Sequence, residues 1–251
     1  MGTIDGARLG EAGAVAAFGG LLAWGAAATV DRIVDLDGWV LVACAAVGAA
    51  NGAISGIRRI YPWTRPDGFA AAVLDSTWAL PMTAAALFAH AVAAVTRTAD
   101  YLPDLSERRS GHVYRRGFQP RKGFAITLGN VISGAGEVER PSRRHLILEH
   151  EYIHVWQARW LGPVYPVIYV GWSALATLYG VGRWASGARR RGKVGKVVET
   201  YAYYCNPIEW WAYSRDGRWR PRHMVDGCGW KQAAVRPLPS VTARADVDRR
   251  A

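Results

Sequence analysis

Two uncharged runs near the start of the chain restrict its fold more than any other feature. Residues 12–30, AGAVAAFGGLLAWGAAATV, and residues 38–57, GWVLVACAAVGAANGAISGI, contain no charged side chain. A helix needs about 20 apolar residues to cross the hydrocarbon core of a bilayer, and both runs have that length. Neither is strongly apolar, because Ala and Gly contribute little, so buried helices of a soluble protein are the competing reading. A cleaved leader fits the first run poorly. Asp5, Arg8 and Glu11 precede it where a basic start is required, and a second run follows at once.

Two later runs are less clear. Residues 69–96 carry Asp75 and Pro81. An ionisable group inside a membrane segment is costly, so Asp75 either has a task facing protein or water, or sits near a membrane face at a helix break before Pro81. Residues 163–182, PVYPVIYVGWSALATLYGVG, begin with two prolines and end at Arg183.

Charge places these runs against lipid. The chain carries a formal charge of +11 over 251 residues, with a pI near 9.9. Its arginines cluster at the edges of apolar segments and in the C-terminal half. They are not interleaved with aromatics in a nucleic-acid pattern, so a lipid bilayer is the expected partner and nucleic acid is not. The expectation is a multi-pass protein of the cell membrane. Loop 31–37, with Asp31, Asp35 and Asp37, reads as external; loop 58–67, with Arg58, Arg59 and Arg65, reads as cytoplasmic. The Arg-rich stretch 97–162 also reads as cytoplasmic, which conflicts with a single crossing by 69–96. A re-entrant hairpin broken at Pro81 removes the conflict, and both topologies stay open. Cys44, Cys205 and Cys228 form no metal knuckle; Cys44 reads as a small core residue, and a Cys205–Cys228 bridge has nothing in the sequence to argue for it.

After residue 97 the chain becomes polar and loop-like. Residues 124–133, FAITLGNVIS, alternate and contain β-branched side chains, so they read as a strand ended by Gly134 and Gly136. Residues 140–162 read as a helix, with Ser142 as a candidate N-cap and Gly162-Pro163 as its stop. On it lies LEHEYIHVWQ, residues 148–157. His150 and His154 are about 400° apart on a helix, so both imidazoles share a face and can bind Zn²⁺. Glu151 is rotated about 100° from His150, where it can stand beside a metal and take the proton from an attacking water. Glu149 and His145 read as surface residues, and Gln157 as a neighbour of the site at most.

A catalytic zinc site needs a third protein ligand. The segment YYCNPIEWWAYSRDG offers Glu209 one turn into a helix that Asn206 can cap and Pro207 can start. Asn206 and Glu209 also match a capping box, which needs no metal. His223 is the second candidate ligand. Tyr201, Tyr203 and Tyr204 precede the helix; Tyr203 and Tyr204 are candidate oxyanion donors, with packing as the alternative role.

The order AITLGNVIS, EHEYIHVWQ, NPIEWWA resembles that of the minimal gluzincin metallopeptidases, zincin-like domains with a Thr-x-Gly strand, a His-Glu-x-x-His helix and a final Asn-Pro-x-Glu helix. The likeness covers residues 118–216. It implies His150, His154 and Glu209 as zinc ligands, Glu151 as catalytic base, and residues 124–130, with Thr127, Gly129 and Asn130, as the strand that pairs with an extended peptide or protein substrate. The expected fold is mainly α: membrane helices over 1–96, then a small α+β zincin-like domain over 97–231 with a short strand or hairpin over the active-site helix, then a disordered tail over 232–251. Within that domain, 163–182 poses a geometric question. Were it to cross the bilayer, His150 and Glu209 would lie on opposite faces, which favours a re-entrant, interfacial or core segment. The basic stretch 183–196 then lies at an anionic lipid surface.

These observations lead to a membrane-associated zinc metallopeptidase acting on a peptide or related amide bond. A non-catalytic membrane anchor with a degenerate or structural site is the alternative, disfavoured by an intact Glu151. A di-iron desaturase or hydroxylase requires more histidines than the six present.

Overall fold

The computed structural model describes residues 5–96, 98–121, 123–187 and 193–215. His223, Cys228 with its candidate bridge, the arginines at 189–191 and the tail after 232 lie outside the described residues. The protein is mainly helical with one small sheet, and it divides into two compact units: residues 1–147 with 155–163, and residues 148–154 with 164–251.

The first unit opens with α1 (Gly6–Val34) and α2 (Gly38–Ile57), both long and apolar enough to cross a membrane. Asp5 caps α1 by accepting from the Arg8 amide, and Asp35, at φ 48°, turns the chain into α2. The two helices pack backbone to backbone. A Cβ on Gly48 would lie 2.4 Å from the Gly19 carbonyl oxygen, and one on Gly52 would lie 2.3 Å from that of Val15. The Ala and Gly content that makes these runs weakly hydrophobic is thus what lets them approach. Leu21, Trp24, Trp39 and Val42 point outward.

α3 (Pro66–Ser76) and α4 (Leu80–Val95) are bent by 88° at their junction. The break expected at Pro81 lies at residues 77–79 instead. Pro81 falls in the first turn of α4, where its missing N–H leaves no helical bond unmade. The pair is a broken span or a re-entrant loop by shape.

Residues 124–133 form a hairpin rather than one strand. β2 (Ile126–Leu128) runs antiparallel to β3 (Val131–Ser133), with Gly129 at φ 54° in the turn. β1 (His112–Tyr114) pairs with β3 in parallel, giving the order β1-β3-β2, so β2 is an edge strand. The sheet groups with the N-terminal helices because Ala86, Ala89 and Ala93 of α4 pack on Tyr114, Val131 and Leu128.

Asp75 has a structural task in this unit. Arg159 donates from Nε to its Oδ1 and from Nη2 to its Oδ2, both at 2.8 Å, and the two side chains are 2 % and 1 % exposed. Tyr61 and the Asn130 amide also donate to Oδ2, at 2.8 and 3.2 Å. Arg159 Nη2 further donates to the Ser110 carbonyl at 2.6 Å. Burial and the Asp75 charge push the Tyr61 hydroxyl far above its ordinary range, so it remains a donor. His112 is buried in the same unit, its Nε2 3.2 Å from Ser55 Oγ and its Nδ1 3.3 Å from the Tyr101 hydroxyl. Burial, and then the neighbouring His90, Arg58 and Arg159, hold its imidazole well below the usual range.

In the second unit, α7 (Val164–Ala185) is one unbroken helix long and apolar enough to cross a membrane; Pro163 precedes it and Pro166 falls in its first turn. After it come α8 (Val194–Glu199), a π-helical turn (Thr200–Tyr204) and α9 (Pro207–Arg215). This segment packs back along α7 in the opposite direction. A Cβ on Gly180 would touch Val198; Ala176 packs with Val197 and Tyr201; Trp172 donates to the Tyr201 carbonyl; Tyr169 donates to Glu209. The return path answers the geometric question raised by the sequence. A helix long enough to span does not separate Glu209 from the end of α7 where the histidine helix arrives, because the chain comes back.

Candidate metal centre

The histidine helix is not uniform. α5 (Pro141–His145) begins with Pro141 after Arg140, so Ser142 lies inside it and is not the cap. A π-helical turn over Leu146–Glu151 follows, then α6 (Tyr152–Leu161). π turns are uncommon and concentrate at functional sites. His150 lies in the widened turn and His154 in the regular helix, and their Nε2 atoms are 3.1 Å apart. Both side chains are buried.

Glu209 reaches this pair. Asn206 Oδ1 accepts from the Ile208 amide at 3.0 Å, capping α9, and Pro207 occupies the first helical position. The capping-box alternative is thus divided between two residues. Asn206 caps, while Glu209 turns its carboxylate to the imidazoles. Its Oε2 lies 3.4 Å from His150 Nε2 and 3.5 Å from His154 Nε2, and its side chain is 5 % exposed. Tyr169 donates to its Oε1 at 2.8 Å. Burial opposes ionisation of Glu209, but His154 and His150 outweigh it and hold the carboxyl far below the usual range.

The three donor atoms fit one ion. Ligands at about 2.0–2.1 Å from a tetrahedral centre stand about 3.3–3.4 Å apart, and the observed separations are 3.1, 3.4 and 3.5 Å. Two neutral imidazole lone pairs aimed at each other repel unless a cation or a proton lies between them. Glu209 Oε2 is buried with no hydrogen-bond partner among the described residues. The group could hold a metal ion, and among the described residues it is the one cluster of three such ligands. His150 Nδ1 also has no partner there, although ligating histidines usually donate from the second nitrogen.

Glu151 is buried one residue after His150, and its charge acts on the hydroxyls of Tyr203 and Tyr213. The Tyr203 and Tyr213 hydroxyls are 3.5 Å apart, and the Tyr213 ring lies 4.3 Å from the His150 ring. Burial first, with the Glu209 charge adding to it, pushes both hydroxyls up, which keeps them protonated donors. Tyr204 packs its ring on Tyr203. Tyr169 and Tyr213 escaped the sequence reading. Tyr213 had a signal, four residues after Glu209 on one helix face; Tyr169 had none.

Thr127, Gly129 and Asn130 belong to the first unit. Thr127 lies on edge strand β2 and Gly129 in its turn, while the buried Asn130 amide donates to Asn51 Oδ1 and Asp75. Gln157 is likewise in the first unit and buried.

No protein-family model matches the chain, and comparison with curated proteins and with solved structures finds no match.

Proposed function

We propose that this protein is a multi-pass membrane metallopeptidase of the gluzincin kind, with zinc held by His150, His154 and Glu209, and that it hydrolyses a peptide or related amide bond. The observation that carries the reading is the triangle of donor atoms at 3.1, 3.4 and 3.5 Å with a carboxylate, Glu151, next to it in sequence. Three protein ligands leave a fourth position open, as in catalytic rather than structural zinc sites. When bound, zinc supplies Lewis-acid polarisation of a carbonyl and lowers the pKa of water.

The chain's residues perform the rest. Glu151 takes the proton of the attacking water and hands it to the leaving amine. Tyr203 and Tyr213, held protonated, supply the hydrogen-bond donors for negative charge developing on the carbonyl oxygen. α1, α2 and α7, with the bent pair α3–α4, hold the protein in the cell membrane. Such a site acts on substrates at or near the lipid surface.

Metal analysis of the detergent-purified protein tests the ligand set, and Glu151→Gln tests the chemistry. Near-stoichiometric zinc is expected in the wild type, with clear loss in Glu209→Ala. Glu151→Gln is expected to retain zinc and to cleave a peptide library at least about 10²-fold more slowly, the usual contribution of a general base. Cleavage by Glu151→Gln at the wild-type rate would rule out Glu151 as the base, and absence of cleavage by the zinc-loaded wild type would leave only the non-catalytic anchor.

A further inference from the structure

We infer that Tyr169 is a positioning residue of the metal centre: by occupying Glu209 Oε1 it restricts that carboxylate to a single ligating oxygen. The inference rests on the metal reading above, but not on hydrolysis.

A carboxylate can bind a metal through one oxygen or through two, and a tetrahedral site with an open position requires one. The cap of α9 does not enforce that choice. Asn206, the residue that could have engaged Glu209 in a capping box, spends its side chain on the Ile208 amide. The constraint comes from α7. The Tyr169 hydroxyl donates to Oε1 at 2.8 Å, and Oε2 is then the oxygen turned to both imidazoles, at 3.4 and 3.5 Å. A hydrogen bond to an ionised acceptor is among the stronger kinds, and it favours the charged, ligating form of Glu209.

The donor is rigidly placed. Tyr169 is the second of a stacked pair, its ring 6.1 Å from that of Tyr165 on the same helix. One turn further, Trp172 bonds to the Tyr201 carbonyl, and Ala176 packs with Val197, Tyr201 and Cys205. The seam between α7 and the returning segment therefore sets the phenol's position. An apolar helix that the sequence marks only as a membrane segment also supports the metal site.

The test compares Tyr169→Phe with Trp172→Phe, which removes a hydrogen bond across the same seam without touching a ligand. Zinc affinity is measured on the full-length protein in detergent by competition with a chromophoric chelator. Cobalt(II) substitution reports coordination number, four-coordinate sites absorbing much more strongly in the visible than five-coordinate ones. Tyr169→Phe is expected to weaken zinc binding about 10- to 100-fold, the usual effect of losing a partner that orients a ligand, and to lower the cobalt absorption as Oε1 joins the metal. Trp172→Phe is expected to leave the cobalt absorption unchanged and to weaken zinc binding far less than Tyr169→Phe, because Tyr169 still donates to Oε1. Wild-type affinity with an unchanged cobalt spectrum in Tyr169→Phe overturns the inference while leaving the metal site standing. Equal losses in both variants also overturn it, since the effect would then belong to helix packing. Absence of zinc and cobalt binding in the wild type instead removes the metal reading itself.

Discussion

Replacing Asp75 should strongly destabilise the first unit. Asp75 and Arg159 are 2 % and 1 % exposed and meet through two contacts of 2.8 Å. Removing one member of a buried pair costs about 3–5 kcal/mol, because the other charge stays buried without compensation. Asp75→Ala also strips acceptors from Tyr61 and the Asn130 amide, at about 1–3 kcal/mol for each donor left unsatisfied. That total approaches the whole stability of an ordinary domain, about 5–15 kcal/mol, so Asp75→Ala is expected not to accumulate folded. Asp75→Asn keeps an acceptor for Tyr61 and isolates the charge, with an expected loss of about 3–5 kcal/mol. The double variant Asp75→Leu/Arg159→Met removes both charges and is expected to be more stable than either single change. Tryptophan fluorescence during denaturant unfolding in detergent follows all of these. An Asp75→Asn protein within about 1 kcal/mol of wild type, or a double variant whose loss equals the sum of the singles, would refute the argument.

Three further outcomes follow from the geometry. His112 stays neutral in the folded protein while the unfolded chain takes up a proton below its ordinary value of 6.5. Stability is therefore complete above that pH and declines as pH falls beneath it, by at most about 1.4 kcal/mol per unit, and unfolding titrations of His112→Gln should lack this contribution. Gly52→Ala places a Cβ 2.3 Å from the Val15 carbonyl oxygen and is expected to cost about 1–3 kcal/mol despite alanine's better helix propensity, whereas Gly25→Ala, with nothing within 4 Å, should be neutral or stabilising in the same unfolding assay. Zinc in excess should raise the unfolding midpoint of the wild type, by about 2.7 kcal/mol at one hundred times its dissociation constant. The gain should vanish in Glu209→Ala; a midpoint indifferent to zinc in the wild type would count against the site.

Whatever depends on neighbours within about four residues could be read from the sequence. The bounds of α2, the shared face of His150 and His154, and the Asn206-Pro207 helix start follow from local rules of composition, helical periodicity and capping, while α1 extends beyond its uncharged run at both ends, over Gly6–Val34. Even there the π-helical turn at Leu146–Glu151 was hidden, because the pattern does not distinguish a widened turn from a regular one. The tertiary structure alone decided the partners at long range. Asp75 and Arg159 are 84 residues apart, and Tyr169 and Glu209 are 40 apart. A buried carboxylate must find a cation or a donor somewhere, so the sequence establishes the need. Which residue meets that need depends on how α7 folds against the returning segment and how Arg159 reaches the bend between α3 and α4. Those are properties of packing, set by small residues and ring contacts that carry no signal of their own in the chain.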